Sequence, residues 1–234
     1  MKKSNLYTEG VELQKTVKVA GIAYLLIIIV PLLSMLIIEP IITVSGDIVA
    51  TINNIIANEV WYRVDTTITL LMYVGVVLLS LSLYTILKPV NKQLAQLALL
   101  WRFAEALVGI FATLSSFILL LFIKGENNIE KFGTDQFYAL AEFIHGIHWE
   151  VTVSIFVLLA LGSIIVFYLF LKSKLIPKAL SIWGIISYSL VLIGALISLI
   201  FSGNTYMILG SQTILFEIVI GCWLLFKGLN ISNN

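Results

Sequence analysis

Residues 94–123 read LAQLALLWRFAEALVGIFATLSSFILLLFI, thirty residues among which only Arg102 and Glu105 are ionisable. As a helix rising about 1.5 Å per residue this run is about 45 Å long, more than the roughly 30 Å of bilayer hydrocarbon. It therefore reads as a span that tilts or protrudes. Working outward, comparable runs occupy residues 19–38, 64–87, 147–171, 179–201 and 208–226. The first is about twice the length of a signal-peptide core and no small-x-small cleavage site follows it closely, so it reads as a retained helix. Pro31 lies within it, and a kink there is absorbed by neighbouring helices.

Composition agrees. Hydrophobic residues are 60% of the 234 and charged residues 12%, where soluble domains run at about 45–50% and about 25%. Mean hydropathy is +1.05. Six spans use most of this apolar content, whereas one soluble core of this size does not. A disordered chain is excluded. A formal charge of +1 gives no field for a polyanion, so no nucleic-acid partner is expected. Cys222 is the sole cysteine and rules out a disulfide framework. The expected fold is an all-α integral membrane protein, a single polytopic domain over residues 1–234.

Basic residues orient it. With the N-terminus inside, the cytoplasmic side holds Lys2, Lys3, Lys15, Lys18, Lys88, Lys92, Lys172, Lys174, Lys178 and Lys227. The outer side holds Arg63, Lys124 and Lys131. That positive-inside bias puts both termini in the cytoplasm. Only Arg63 and Arg102 of the 14 basic residues are arginine, and with many Ile and Asn this composition reads as that of an AT-rich bacterial genome, so a bacterial plasma membrane is expected. Acids, Glu126 among them, gather on the outer side, where two amphipathic interfacial helices are expected. One covers about 46–60, with Ser45-Gly46-Asp47 as cap and first-turn acid and Ile48, Ile52, Ile55 and Ile56 on one face. The other covers about 134–146, with Phe137, Leu140, Ala141 and Ile144 on one side, and either runs into the fourth span or breaks at Gly146. Ser202-Gly203-Asn204 reads as a tight turn between the last two spans.

Ionisable residues inside a membrane are costly and informative. Arg102 and Glu105 stand one helical turn apart, and Glu217 interrupts the sixth run. Arg102 lies ten residues from Lys92 and Glu217 ten from Lys227, which puts both at about 15 Å from the inner boundary. A contact between them across spans three and six is expected. Two carboxylates against one guanidinium leave one negative charge in excess, relieved by a shared proton or a bound cation. The plain alternative is an ion pair that fixes helix register.

Two further clusters lie outward. Glu142-x-x-His145-x-x-His148 offers imidazole and carboxylate ligands of the kind zinc takes, but each three-residue step drifts about 60° round a helix, so one ion is reached by all three only if the helix breaks. Trp61-Tyr62-Arg63-x-Asp65 reads as an interfacial belt in which Arg63 pairs with Asp65 or Glu59; Asp47 joins this outer-face polar set. Tyr84, Ser187, Tyr188 and Ser189 supply hydroxyls within spans. No Gly-x-Ser-x-Gly elbow, G-x-x-x-x-G-K loop or G-x-G-x-x-G turn occurs, so no cofactor is expected.

An ordered set of pieces carries a family resemblance: Ala20-Gly21-Ile22-Ala23-Tyr24-Leu25, Gly46-Asp47 leading to Asn54-Ile55 and Glu59, Arg63, Leu83-Tyr84 through Lys88-Pro89-Val90-Asn91, Arg102-x-x-Glu105-Ala106, Ser173-Lys174-Leu175-Ile176-Pro177, Glu217, and Trp223-Leu224-Leu225-x-Lys227-Gly228. The chain resembles, from about residue 15 to 230, the bacterial membrane proteins grouped as domain of unknown function 4386. The resemblance implies six helical spans, no assigned activity, and family positions at Asp47, Arg63, Arg102, Glu105 and Glu217. The expected function is a non-enzymatic multi-span membrane protein whose partners are the bilayer and an unidentified small ligand, with homo-oligomerisation open. Two alternatives stand beside it: a small permease with a proton- or cation-linked midplane site at Arg102, Glu105 and Glu217, and an outer-face metal-dependent hydrolase acting on lipid.

Overall fold

The computed structural model describes residues 2–125, 128–201 and 203–230, with side chains from residue 12 onward apart from Trp149. Glu126 and Ser202 lie outside the described residues. The described chain is all helical: α1 Lys2–Leu33, a π-helical turn Ser34–Ile38, α2 Glu39–Ile42, α3 Ile48–Ala57, α4 Glu59–Leu87, α5 Lys92–Ile123, α6 Asn128–Phe132, α7 Thr134–Ser173, α8 Lys178–Phe201, α9 Thr205–Cys222 and a second π-helical turn Trp223–Lys227. Six helical stretches are long and apolar enough to cross a membrane: Glu12–Ile42, Glu59–Leu87, Lys92–Ile123, Thr134–Ser173, Lys178–Phe201 and Thr205–Lys227. Their outward side chains are apolar, with Leu36 70%, Phe201 75% and Phe226 78% exposed. Such a surface is unstable in water and suits lipid.

Each expected run is present, with longer ends. The stretch from Thr134 does not break at Gly146 but continues as α7 to Ser173, 40 residues or about 60 Å of helix. Gly146 costs a helix only about 1 kcal/mol relative to alanine, too little to interrupt so long an apolar run. The helix expected over 46–60 is α3, and its cap is Asp47 itself, which accepts the Ala50 N–H at 2.8 Å. Gly46 at φ +76° makes the turn that delivers it. Its apolar face is turned into protein: Ile52 and Ile55 are buried, while Ile56 is exposed.

Contacts divide the chain into two compact units. One holds the chain up to Ile28, Val74–Ala106 and everything from Val153; the other holds Ile29–Tyr73 and Leu107–Thr152. In the first, Tyr24, Leu79, Leu83, Leu87, Phe167, Phe170, Tyr188, Phe216, Ile220 and Leu224 form one buried cluster. Phe167 meets Phe216 edge-on at 4.9 Å. Glycine sets how close helices come there: a Cβ on Gly21 would lie 2.7 Å from the Leu225 backbone nitrogen and 2.9 Å from the Gly221 carbonyl oxygen. This is the small-residue packing of membrane helices. In the second unit, Ile38, Ile42, Ile52, Ile55, Leu119, Leu120, Ile123, Phe137 and Ala141 form the core. Phe122 stacks on Phe137 at 5.1 Å.

Candidate functional site

Two polar constellations lie within these units, one in each, and they differ in kind. The first is closed. Arg102 and Glu105 on α5 are each 4% exposed, and Nη1 and Oε2 approach to 2.8 Å. The contact is one of charge more than of aligned hydrogen bonding, since neither of those two atoms has a hydrogen-bond partner. Glu217 on α9 is 8% exposed and accepts the Tyr188 hydroxyl from α8 at 2.6 Å. The Tyr24 ring, also buried, lies within electrostatic reach of Arg102, Glu105 and Glu217.

Expectation and structure part here. The ion pairs among the described residues are Arg63–Glu59, Arg102–Glu105 and Lys124–Glu59. Glu217 interacts with Arg102 through space but takes its short contact from a tyrosine. A local i, i+3 partner on the same helix balances the charge of Arg102 at little conformational cost. The arginine stem runs over Gly162 of α7, where a Cβ would come within 2.8 Å of Cγ. Beside it, a cavity of only about 10 Å³ is walled by Ser80, Leu83, Tyr84, Ala98 and Val166. That is room for about one water.

The second constellation is open. In the Ile29–Tyr73 and Leu107–Thr152 unit a pocket of about 150 Å³ is lined by Ser34, Ile38, Glu39, Ile42, Thr43, Tyr62, Asp65, Thr66, Thr69, Thr113, Ser115, Ser116, Leu119, Ile144, His145 and His148. Each contributing element shows why. In α4, Tyr62, Asp65, Thr66 and Thr69 fall at i, i+3, i+4 and i+7, one face of a helix. In α5, Thr113 and Ser116 are one turn apart, as are His145 and His148 in α7. The fourth wall is the π-helical turn after α1, which ends at Ile38 just before Glu39 and Pro40. Single π turns of this kind recur at functional sites.

Hydrogen bonds fix the walls. The Tyr62 hydroxyl donates to the Ser116 carbonyl at 3.2 Å, and His148 Nδ1 lies 3.2 Å from the Ala112 carbonyl oxygen. Asp65 lies within reach of the Ser34 hydroxyl and of His148, and Glu39 within electrostatic reach of Asp65. Asp65 Oδ1 is buried without a hydrogen-bond partner.

The outer-face residues named from sequence thus separate. Asp47 caps α3. Glu59 holds Arg63 at 2.7 Å and Lys124 at 2.6 Å on an exposed surface, where such pairs contribute little. Asp65 turns into the pocket with His145 and His148, while Glu142 is exposed and outside it. No group of three or more His, Cys, Asp or Glu side chains among the described residues is placed to hold a metal ion. Ser34, Glu39 and the α5 hydroxyls were not named as site residues from the sequence; the polar positions at helical spacing on α5 are a signal that could have found the hydroxyls, and nothing comparable marks Ser34 and Glu39.

No curated protein and no solved structure matches the chain. A family model described as Domain of unknown function (DUF4386) matches residues 19–228.

Proposed function

Since the chain belongs to the DUF4386 family, whose description carries no activity, we propose its function from its own side chains: a non-enzymatic, multi-pass plasma-membrane protein that binds a small polar ligand in the pocket between Ser34, Asp65, Ser116 and His148. The pocket itself carries this reading. A 150 Å³ space edged by two carboxylates, two imidazoles and eight hydroxyls, inside helices otherwise apolar enough to span a membrane, is expensive to maintain. A ligand that meets those groups offsets the expense. Arg102, Glu105 and Glu217 are read as architecture, because the space beside Arg102 admits about one water. The lysine bias supports cytoplasmic termini, with Arg63 and Lys124 on the outer side.

The test is a ligand screen by thermal melting of the purified full chain, with small polar solutes of each charge class. A binder raises the melting temperature with concentration, as any ligand selective for the folded state does. Thr69→Phe, which fills the pocket, is expected to abolish that shift while the unliganded protein still melts cooperatively. A panel without any shift, in detergent and in lipid nanodiscs alike, would refute the reading.

A further inference from the structure

We infer that the ligand carries a small ammonium group, held between Asp65 and Glu39 with hydroxyl oxygens around it. This inference rests on the binding role proposed for the same pocket and names the chemistry the pocket selects.

Charge points there first. The lining holds the carboxylates of Glu39 and Asp65 and no lysine or arginine. Arg63 in α4 and Lys124 just after α5 are both engaged by Glu59, which does not line the pocket. The two carboxylates lie within electrostatic reach of each other. In a medium of low dielectric such a pair attracts a cation far more strongly than it does in water. Of the lining groups, His148 lies within electrostatic reach of Asp65 and offsets part of its charge; the remaining carboxylate charge disfavours an anion and is left unmet by a neutral solute.

Hydrogen-bonding capacity agrees. Asp65 Oδ1 is buried and accepts nothing. An ammonium brings three donors and no acceptor, and the pocket offers it carboxylate oxygens together with the hydroxyl oxygens of Ser34, Thr66 and Thr69. Bonds from a charged donor to a carboxylate are the strong class. A transition-metal ion such as zinc suits the site less well, because no three of the His, Asp and Glu side chains described converge as ligands. The apolar part of the lining, Ile38, Ile42, Leu119 and Ile144, accommodates a short carbon body attached to the nitrogen. An ammonium of this kind comes either as a free amine or as the head group of an ethanolamine lipid, and both present the same chemistry.

The experiment uses the full chain purified in detergent, titrated calorimetrically with ethanolamine, with ethylene glycol as its neutral counterpart and glycolate as its anionic one. A parallel arm reconstitutes the chain in nanodiscs of phosphatidylethanolamine or phosphatidylglycerol and compares melting temperatures. The expected result is heat of binding for ethanolamine and none for the two controls, or a higher melting temperature in phosphatidylethanolamine. The first identifies a free amine and the second a lipid head group. Asp65→Asn and, independently, Glu39→Gln are expected to weaken binding at least about tenfold, whereas Glu142→Gln, which lies outside the pocket, leaves it unchanged. The contrast among wild-type ligands stands even if a variant fails to fold. Ethylene glycol or glycolate binding as well as ethanolamine overturns the ammonium assignment and leaves the pocket as a small-ligand site. No binding by any probe in either arm, with Thr69→Phe indistinguishable from wild type, overturns both.

Discussion

Glu217 shows how a carboxylate is kept inside a helix apolar enough to cross a membrane. Its Oε1 is 2.6 Å from the Tyr188 hydroxyl, and that bond exists because α8 and α9 pack with their polar positions in register, Ser187 on Gln212 at 2.7 Å and Tyr188 on Glu217. Glutamine at 217 keeps an acceptor for the tyrosine and removes the charge, so Glu217→Gln is expected to melt close to wild type. Tyr188→Phe strands a buried acceptor and is expected to lose about 1–3 kcal/mol. Comparing the two melting curves decides whether the hydrogen bond or the ion matters; a Gln variant worse than the Phe variant would show that the charge is required. The Arg102–Glu105 pair is tested the same way. Arg102→Leu leaves Glu105 buried and alone, a loss of about 3–5 kcal/mol, while Arg102→Leu with Glu105→Leu is expected to recover most of it. A double variant as unstable as the single one would mean that the pair contributes more than mutual neutralisation.

At the scale of elements, helix approach depends on what a side chain would strike. A Cβ on Gly21 would meet backbone atoms of Leu225 and Gly221 at 2.7 and 2.9 Å, and backbone cannot step aside. Gly75, by contrast, would place a Cβ 3.8 Å from a side-chain carbon of Ile27, an ordinary contact. Gly21→Ala is therefore expected to destabilise by about 1–3 kcal/mol through overpacking, and Gly75→Ala to be neutral or slightly stabilising through helix propensity. Denaturation of the two purified variants side by side checks this, and equal stability would argue against a rigid contact at Gly21. Boundaries were less legible than existence. The run from residue 147 was readable as a span, yet α7 begins at Thr134 because nothing between them interrupts the helix strongly enough. Asp47 was readable as an acid near a helix start, and the structure makes it the cap.

Orientation is a property of the whole molecule. Single cysteines in a Cys222→Ala background, at Lys124→Cys and Lys178→Cys, are expected to differ toward a membrane-impermeant maleimide on intact cells: the first is labelled, the second only after lysis. The reverse pattern would invert the orientation, and with it the side from which the pocket takes its ligand. The six helices apolar enough to cross a membrane belong to sequence, because hydropathy summed over about 20 residues is a property of each segment alone and needs no neighbour. So do Arg102 beside Glu105, fixed by helical spacing. The partner of Glu217 and the pocket belong to tertiary structure. Tyr62, Asp65, Thr66 and Thr69 form a stripe, and so do His145 and His148, but a stripe states only its own face. Which stripes turn toward one another depends on how each helix rotates and slides against the rest. That choice is made by close contacts such as Gly21 on Gly221 and Tyr62 on Ser116, between residues far apart in the chain.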